Sequence, residues 1–460
     1  MTHQIISAGQ MLTPEGWRPD MAVEIGADGT IAAVRPAGEL PAQREKITIG
    51  ALLPAPGNVH SHSFQRAMAG LTESRGENPR DDFWTWRALM YRFLEQLTPD
   101  DIEAIAALVQ MEMLEAGYAA IGEFHYLHHQ VGGGHYDAIA ELSERCIAAA
   151  RLTGIGYTHL PVLYMRGGMD GRPLAGGQKR FGNDLASFAR LHDACRDLMK
   201  SATADFVLGV APHSLRAVDR EGLALCEKIA DADPIHIHAA EQQGEVEEAL
   251  AALNARPVEW LLANAGIDDR WCFIHATQMS DEETTSLANA RCVIGACPIT
   301  ESNLGDGILK ADLYLAHGGR LAIGSDSDIR ISLSEELRTL EYSQRLRDKR
   351  RVVLADAEHS CGRYMYERIA RGSAQALGRN SGRIEAGALA DFVAIDTDAP
   401  LLGGLTGDHL LDTWIFAGDD RLVTDVWAAG RHVVRGGAHI NREPISARFN
   451  AVMARLRAAL

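Results

Sequence analysis

The 460-residue sequence predicts an α/β fold, a (β/α)8 TIM-type barrel joined to a small β-sandwich domain built from both chain termini. Three observations carry the prediction. Short apolar runs alternate with long helical stretches through the middle of the chain, β-like segments flank that region at both ends, and several apolar runs give way at once to polar, chemistry-bearing residues.

At the N-terminal end, QIISAGQML and MAVEIGADGTIAAVRP read as short strands, with ADGT as a hairpin-type turn. From Leu52 the pattern becomes βα alternation, and a helix over Asp100–Ala116 follows the start signal Thr98-Pro99. Eight apolar runs (LLPAPGNV, AAIGEF, IGYTHLPVLY, FVLGVAP, PIHIH, CFIHA, CVIGA and RLAIGS) are each followed by polar loop residues and a helical pattern. A doubly wound sheet would tolerate the same alternation; the motif positions described below favour the barrel. GRIEAGALADFVAID and DRLVTDVWAAGRHVVRGG return to β character, and ISARFNAVMARLRAAL reads as an amphipathic helix. Residues 1–54 and 382–460 are thereby assigned to the composite β domain with its C-terminal helix, and 55–381 to the barrel.

Composition excludes several classes of function. The formal charge of −17, without a basic stripe, argues against nucleic acid as a partner. Seven cysteines without a CxxC suit a reducing, cytoplasmic compartment. No signal-peptide pattern or long apolar run points to a membrane.

The strongest local signal is PGNVHSH, where His60 and His62 stand two apart as the first barrel strand runs out, so alternation points both rings the same way. Paired neutral imidazoles are a start for a metal site. Three further fragments, IHIHAAEQ, CFIHATQ and LAIGSDSD, again place polar residues directly after a strand. In a barrel those strand ends share one rim, so His238, His275 and Asp326 can converge on His60 and His62. His236 also fits a ligand by alternation, and spacing does not reject it. Asp328 reads as a turn or helix-start residue, with holding an active-site loop as the alternative, His128 and His129 as surface or supporting residues, and Cys292 and Cys297 as apolar packing.

PGNVHSHSFQRAMAG, DDFWTWRALMYR, EFHYLHH, APHSLRAV, HAAEQQGEVE and CPITESNLGDGI together resemble the amidohydrolase superfamily, and more closely its formimidoylglutamate deiminase branch, over nearly the whole chain. The resemblance implies metal ligands at His60, His62, His238 and Asp326, with His275, Glu241 and Asp326 as the acid/base machinery. It favours His238 over His236, because the family glutamate lies three residues after the ligand. Two-metal relatives use a lysine or carboxylate at an earlier strand end; the fourth strand here ends in VAPHS, so one divalent ion is expected, Zn2+ by default with Fe2+ fitting similar ligands.

The implied reaction is hydrolytic deimination of N-formimidoyl-L-glutamate to N-formyl-L-glutamate and ammonia, in histidine degradation. Such a dianionic substrate needs cationic groups, and Arg is the best fork for a carboxylate. Arg216 in APHSLRAV and Arg87 in FWTWR are the candidate anchors, and the resemblance adds Gln65, Tyr126 and His213 as contacts. The alternative is an aminoaromatic deaminase of the same superfamily, acting on a guanine-, adenosine- or cytosine-like ring, which Trp84 and Trp86 would favour. A homodimer is carried over from the family.

Overall fold

The computed structural model describes residues 4–40, 46–73 and 90–458. Strands β1 (Gln4–Thr13), β2 (Gly16–Ile25) and β3 (Ile31–Pro36) form an antiparallel meander, and β4 (Ile47–Pro54) lies parallel to β1 on its other side. The β2–β3 hairpin turns at ADGT as the sequence predicts. Asp28 Oδ1 accepts from the Thr30 amide at 3.1 Å and from its hydroxyl at 2.8 Å. Gly29 has φ +80°, and a Cβ there would stand 2.4 Å from the Ala429 carbonyl oxygen, so only glycine fits.

Next come the barrel strands: β5 (Gly57–Ser61), β6 (Ala120–His125), β7 (Gly156–Leu163), β8 (Phe206–Leu208) with its continuation β9 (Ala211–Pro212), β10 (Ile235–Ala239), β11 (Trp271–His275), β12 (Val293–Ala296) and β13 (Arg320–Ile323). Every pairing among them is parallel. Isolated bridges between Val210 and Ile235 and between Ser61 and Asp326 join the two arcs, closing the barrel. The first apolar run of the sequence, LLPAPGNV, is divided between β4 and β5, with Ala55 and Pro56 between them.

The chain then returns to the first sheet. Strands β14 (Phe392–Ile395), β15 (Val423–Ala428), β16 (Arg431–Arg435) and β17 (Ala438–His439) add to it through β4, giving the order β17-β16-β15-β14-β4-β1-β2-β3. Both ends of the chain thus form one eight-stranded sheet around a core that includes Ile6, Val23, Leu52, Phe392 and Trp427. Its other face, with Leu53, Val393, Val426 and Val434, belongs to the core it shares with the barrel.

The helix Pro99–Glu115 starts at a capping box, in which the Thr98 hydroxyl accepts from the Asp101 amide and the Asp101 carboxylate accepts from the Thr98 amide. The terminal helix Arg442–Ala458 lies on it, tied by Arg448 to Glu103 at 2.5 Å and by Arg455 to Asp101. All seven cysteines are buried free thiols. Among the described residues, no helix is long and apolar enough to cross a membrane.

The N-terminal end of the barrel is plugged by the end of the helix Cys361–Ala376 and by Leu377, which packs with Val59, Ala120, Ile274 and Val293. Gly57 and Gly122 make room for it, since a Cβ on either would meet a Leu377 methyl within 2.8 Å. The plug is also hydrogen-bonded: the Thr158 hydroxyl donates to the Leu377 carbonyl at 2.8 Å, and the Gly57 amide to the Ser373 hydroxyl at 3.0 Å. The opposite end is open, and the polar strand ends gather there.

Candidate metal and acid–base centre

His60 and His62 lie where β5 ends, and their rings turn into the barrel as the alternation predicts, 4.6 Å apart between centroids. His238 on β10, His275 at the end of β11 and Asp326 just beyond β13 join them. His60, His238, His275 and Asp326 each offer an atom within 4.8 Å of the others, and all four are buried. His60 Nε2 is 3.1 Å from His238 Nε2, and Asp326 Oδ1 is 3.4 Å from His60 Nε2 and 3.3 Å from His62 Nε2. His62 Nδ1 donates to the Phe124 carbonyl and His238 Nδ1 to the His213 carbonyl, both at 3.1 Å. Their protons are therefore on Nδ1, and each Nε2 turns a bare lone pair towards one point. Buried lone pairs converging beside a carboxylate are the donor set of a divalent cation, so these residues fit the expected metal.

His236 is a different matter. It shares its inward face with His238 but lies one pleat deeper, and its Nε2 donates to the Ala376 carbonyl at 2.7 Å in the plug. It supports the closed end of the barrel.

The electrostatics separate the histidines. Burial, helped by the neighbouring His62, lowers His60 to about 3, so it is neutral and available to a cation. Burial also opposes charge on His275, but Glu241, Glu301 and Asp326 outweigh it and raise that ring to about 10. Burial would raise Asp326 too, yet hydrogen bonding from His60 and the charge on His275 hold it well below the ordinary carboxylate range. His275 and Asp326 thus form the charged pair, at 3.8 Å, with Glu241 Oε1 3.9 Å from the same His275 Nε2.

Several of these residues occupy strained backbone. Ala240, His275, Ala276, Asp326 and Asp328 have φ between 51° and 71°, conformations that cost a non-glycine residue about 1–3 kcal/mol each. Local clamps hold them. Glu245 accepts from the Ala240 and Glu241 amides at 3.2 and 3.1 Å, while the Thr277 hydroxyl donates to the Glu241 carbonyl at 2.6 Å. Asp328 is a buried clamp at the closing seam of the barrel, accepting from Ser61 Oγ at 2.8 Å and Ser325 Oγ at 2.5 Å. Its amide also closes a turn on the Ser325 carbonyl at 3.0 Å, so the clamp adds to the turn role that the sequence suggests.

The pocket above this cluster is lined in part by His62, Gln65, Tyr126, His213, Arg216, His238, Glu241, His275 and Asp326. Arg216 Nη2 lies 3.3 Å from Glu241 Oε2, so this guanidinium braces Glu241 as well as facing the pocket. Gln65 Nε2 donates to the Tyr126 hydroxyl at 2.7 Å. Arg87, Trp84 and Trp86 lie outside the described residues. His128 and His129 are buried, with Nε2 donating to the carbonyls of Val162 and Gly182, both at 2.9 Å, and they line no part of the pocket. The sequence reading missed Glu245 and Glu301. The first stands four residues after Glu241, and the second follows the β12 strand end in CPITE, so position alone was the available signal.

Residues 51–433 match the profile of the amidohydrolase family, and residues 3–46 match that of the N-terminal domain of the formimidoylglutamate deiminase HutF. The chain is 46% identical to the formimidoylglutamate deiminase of Pseudomonas aeruginosa, covering 98% of this chain and 99% of the relative. It is 26% identical to a 5-methylthioadenosine/S-adenosylhomocysteine deaminase of Natronomonas pharaonis, over 86% of this chain and 85% of that one. An amidohydrolase from Brucella melitensis, known by crystal structure, superposes with a TM-score of 0.93 at 43% identity, over 99% of this chain and all of the other. An adenosine deaminase from Xanthomonas campestris with bound zinc shares the fold at a TM-score of 0.82 and 22% identity, over 99% and 98% of the two chains.

Proposed function

The chain belongs to the amidohydrolase family, in its formimidoylglutamate deiminase branch, and from that membership we propose how it hydrolyses N-formimidoyl-L-glutamate to N-formyl-L-glutamate and ammonia. The observation that carries the reading is one pocket lined by two kinds of group: the carboxylates and imidazoles that suit an amidine, and Arg216, His213, Gln65 and Tyr126, which suit carboxylates.

In this reading His60, His62, His238 and Asp326 hold one divalent ion, with zinc the best match to an imidazole-rich set capped by a carboxylate. When bound, such an ion would acidify a water and offset negative charge on the oxygen that the water contributes. The protein supplies the rest. Beside such a cation the positive charge on His275 is opposed and its Nε2 freed, and Asp326 and His275, 3.8 Å apart, then accept the proton of the attacking water. Glu241 receives the amidine nitrogen and returns a proton to it, so that ammonia rather than an amide anion departs. Arg216 carries a double load, holding Glu241 at 3.3 Å while offering charge to a substrate carboxylate, and Arg87 is assigned the other carboxylate.

The division into 1–54 with 382–460 and 55–381, the cytoplasmic location and the homodimer belong to the same proposal. Free buried thiols support the second, family membership supports the third, and sedimentation of the purified protein tests it.

The deciding assay is ammonia release by the metal-loaded protein from N-formimidoyl-L-glutamate, with guanine, adenosine and cytosine in parallel. Release from formimidoylglutamate alone is expected. Release only from a ring substrate would overturn the substrate assignment while keeping the hydrolytic chemistry.

A further inference from the structure

Three inward imidazoles at the open rim, His62, His238 and His275, have a hydrogen-bond partner behind them, and what stands behind His275 differs from the other two. Behind His62 and His238 are backbone carbonyls, neutral acceptors 3.1 Å from Nδ1. Behind His275 is the carboxylate of Glu301, with Oε1 3.3 Å from Nδ1. The same oxygen receives the Cys297 amide at 2.7 Å, and the Glu301 amide donates to the Cys297 carbonyl at 2.9 Å, so the start of the helix Pro298–Leu304 fixes its position. Glu301 is buried, at 6% exposure, and lines no part of the pocket; anything it does to the reaction passes through His275.

We propose that Glu301 is a positioning residue for the reaction: its carboxylate keeps the His275 proton on Nδ1 and holds the ring so that Nε2 faces Asp326 and Glu241. A carboxylate only accepts, so the ring nitrogen facing it carries hydrogen and the opposite nitrogen is left to the pocket. The ring needs such a hold, because His275 has φ 71° and Ala276 φ 56°. The contrast with the other rings also separates two tasks. A carbonyl partner orients a ligand imidazole, whereas a carboxylate partner both orients the ring and strengthens it as a base. His62 and His238 on one side and His275 on the other are thereby assigned to coordination or to proton transfer by what lies behind them.

The proposal rests on the reading of His275 as a proton carrier in formimidoylglutamate hydrolysis, and its test is arranged to fail separately. E301A and E301Q are prepared as full-length, metal-loaded proteins beside the parent, with H275N to assign the His275 signals in 15N spectra of histidine-labelled protein. In E301A, kcat is expected to fall about 10- to 100-fold with KM within about threefold and metal content unchanged. E301Q, which keeps an acceptor oxygen for Cys297 and His275, recovers part of the loss. The spectra should show His275 protonated on Nδ1 in the parent and no longer held in that form in E301A.

A kcat for E301A within about twofold of the parent, or an unchanged Nδ1 signal, would overturn the proposal. So would a fall in thermal midpoint with kcat intact, the result expected of a helix cap alone. If the parent releases no ammonia from formimidoylglutamate, the functional reading fails and the spectra decide the role of Glu301 by themselves.

Discussion

His236 and His238 stand two residues apart on β10 and face the same interior, yet one supports a plug and the other opens onto a pocket. The closed end of the barrel is apolar apart from a few polar groups such as His236, Thr158 and Ser373, and its segments meet through Leu377. The open end gathers charges, unusual backbone angles and imidazoles facing each other across 3.1 Å. One end is held by apolar packing around Leu377, the other is built from groups held in place against their preferences, and the latter arrangement needs outside restraint from residues such as Glu245, Asp328 and Glu301.

The largest expected difference between the ends comes from truncating the two histidines in turn. H238A should lose bound metal and at least about 10³-fold of its ammonia-releasing activity, whereas H236A should keep both within about twofold and lose thermal stability instead. Metal analysis and kcat decide between them; metal loss from H236A would collapse the distinction.

Next in size is Arg379 beneath the plug, a buried guanidinium 3.0 Å from Asp391 and 3.4 Å from Asp205. Asp205 keeps Arg431, 2.6 Å away, but the loss leaves the buried Asp391 carboxylate without its cation, so R379A should cost about 3–5 kcal/mol of stability. Denaturant unfolding measures this, and kcat of the protein that remains folded should equal the parent's.

The smallest effect is a pH dependence. Burial lowers His236 to about 4, so it is neutral when folded, while an unfolded imidazole takes its proton near 6.5. Between those values the unfolded state binds the extra proton, and stability falls as pH falls, by about 3 kcal/mol in total. The thermal midpoint of H236Q should therefore drop less between pH 7 and pH 5 than the parent's. Equal drops would show that this ring contributes nothing to acid sensitivity.

Much of this was legible in the sequence, because periodicity and position report face and strand end. The eight apolar runs, the convergence of His60, His62, His238, His275 and Asp326 and the union of both chain ends all follow from these signals. Depth along a strand does not. Alternation gives His236 and His238 the same direction, and only the packing of Leu377 decides which of them is sealed in. Partners that act through another residue are equally silent, since Glu301 and Asp328 look like any helix or turn carboxylate until the strands they brace are brought together.

The shared sheet has a consequence for synthesis. Strand β4 hydrogen-bonds to β1 on one side and to β14 on the other. While the ribosome is still making the barrel, β4 therefore presents an unpaired edge along the continuous apolar run Ala51–Pro54, whose partner Phe392–Ile395 has yet to emerge. Each nascent chain must carry that edge through most of its translation, among neighbouring copies on the same message that carry it too.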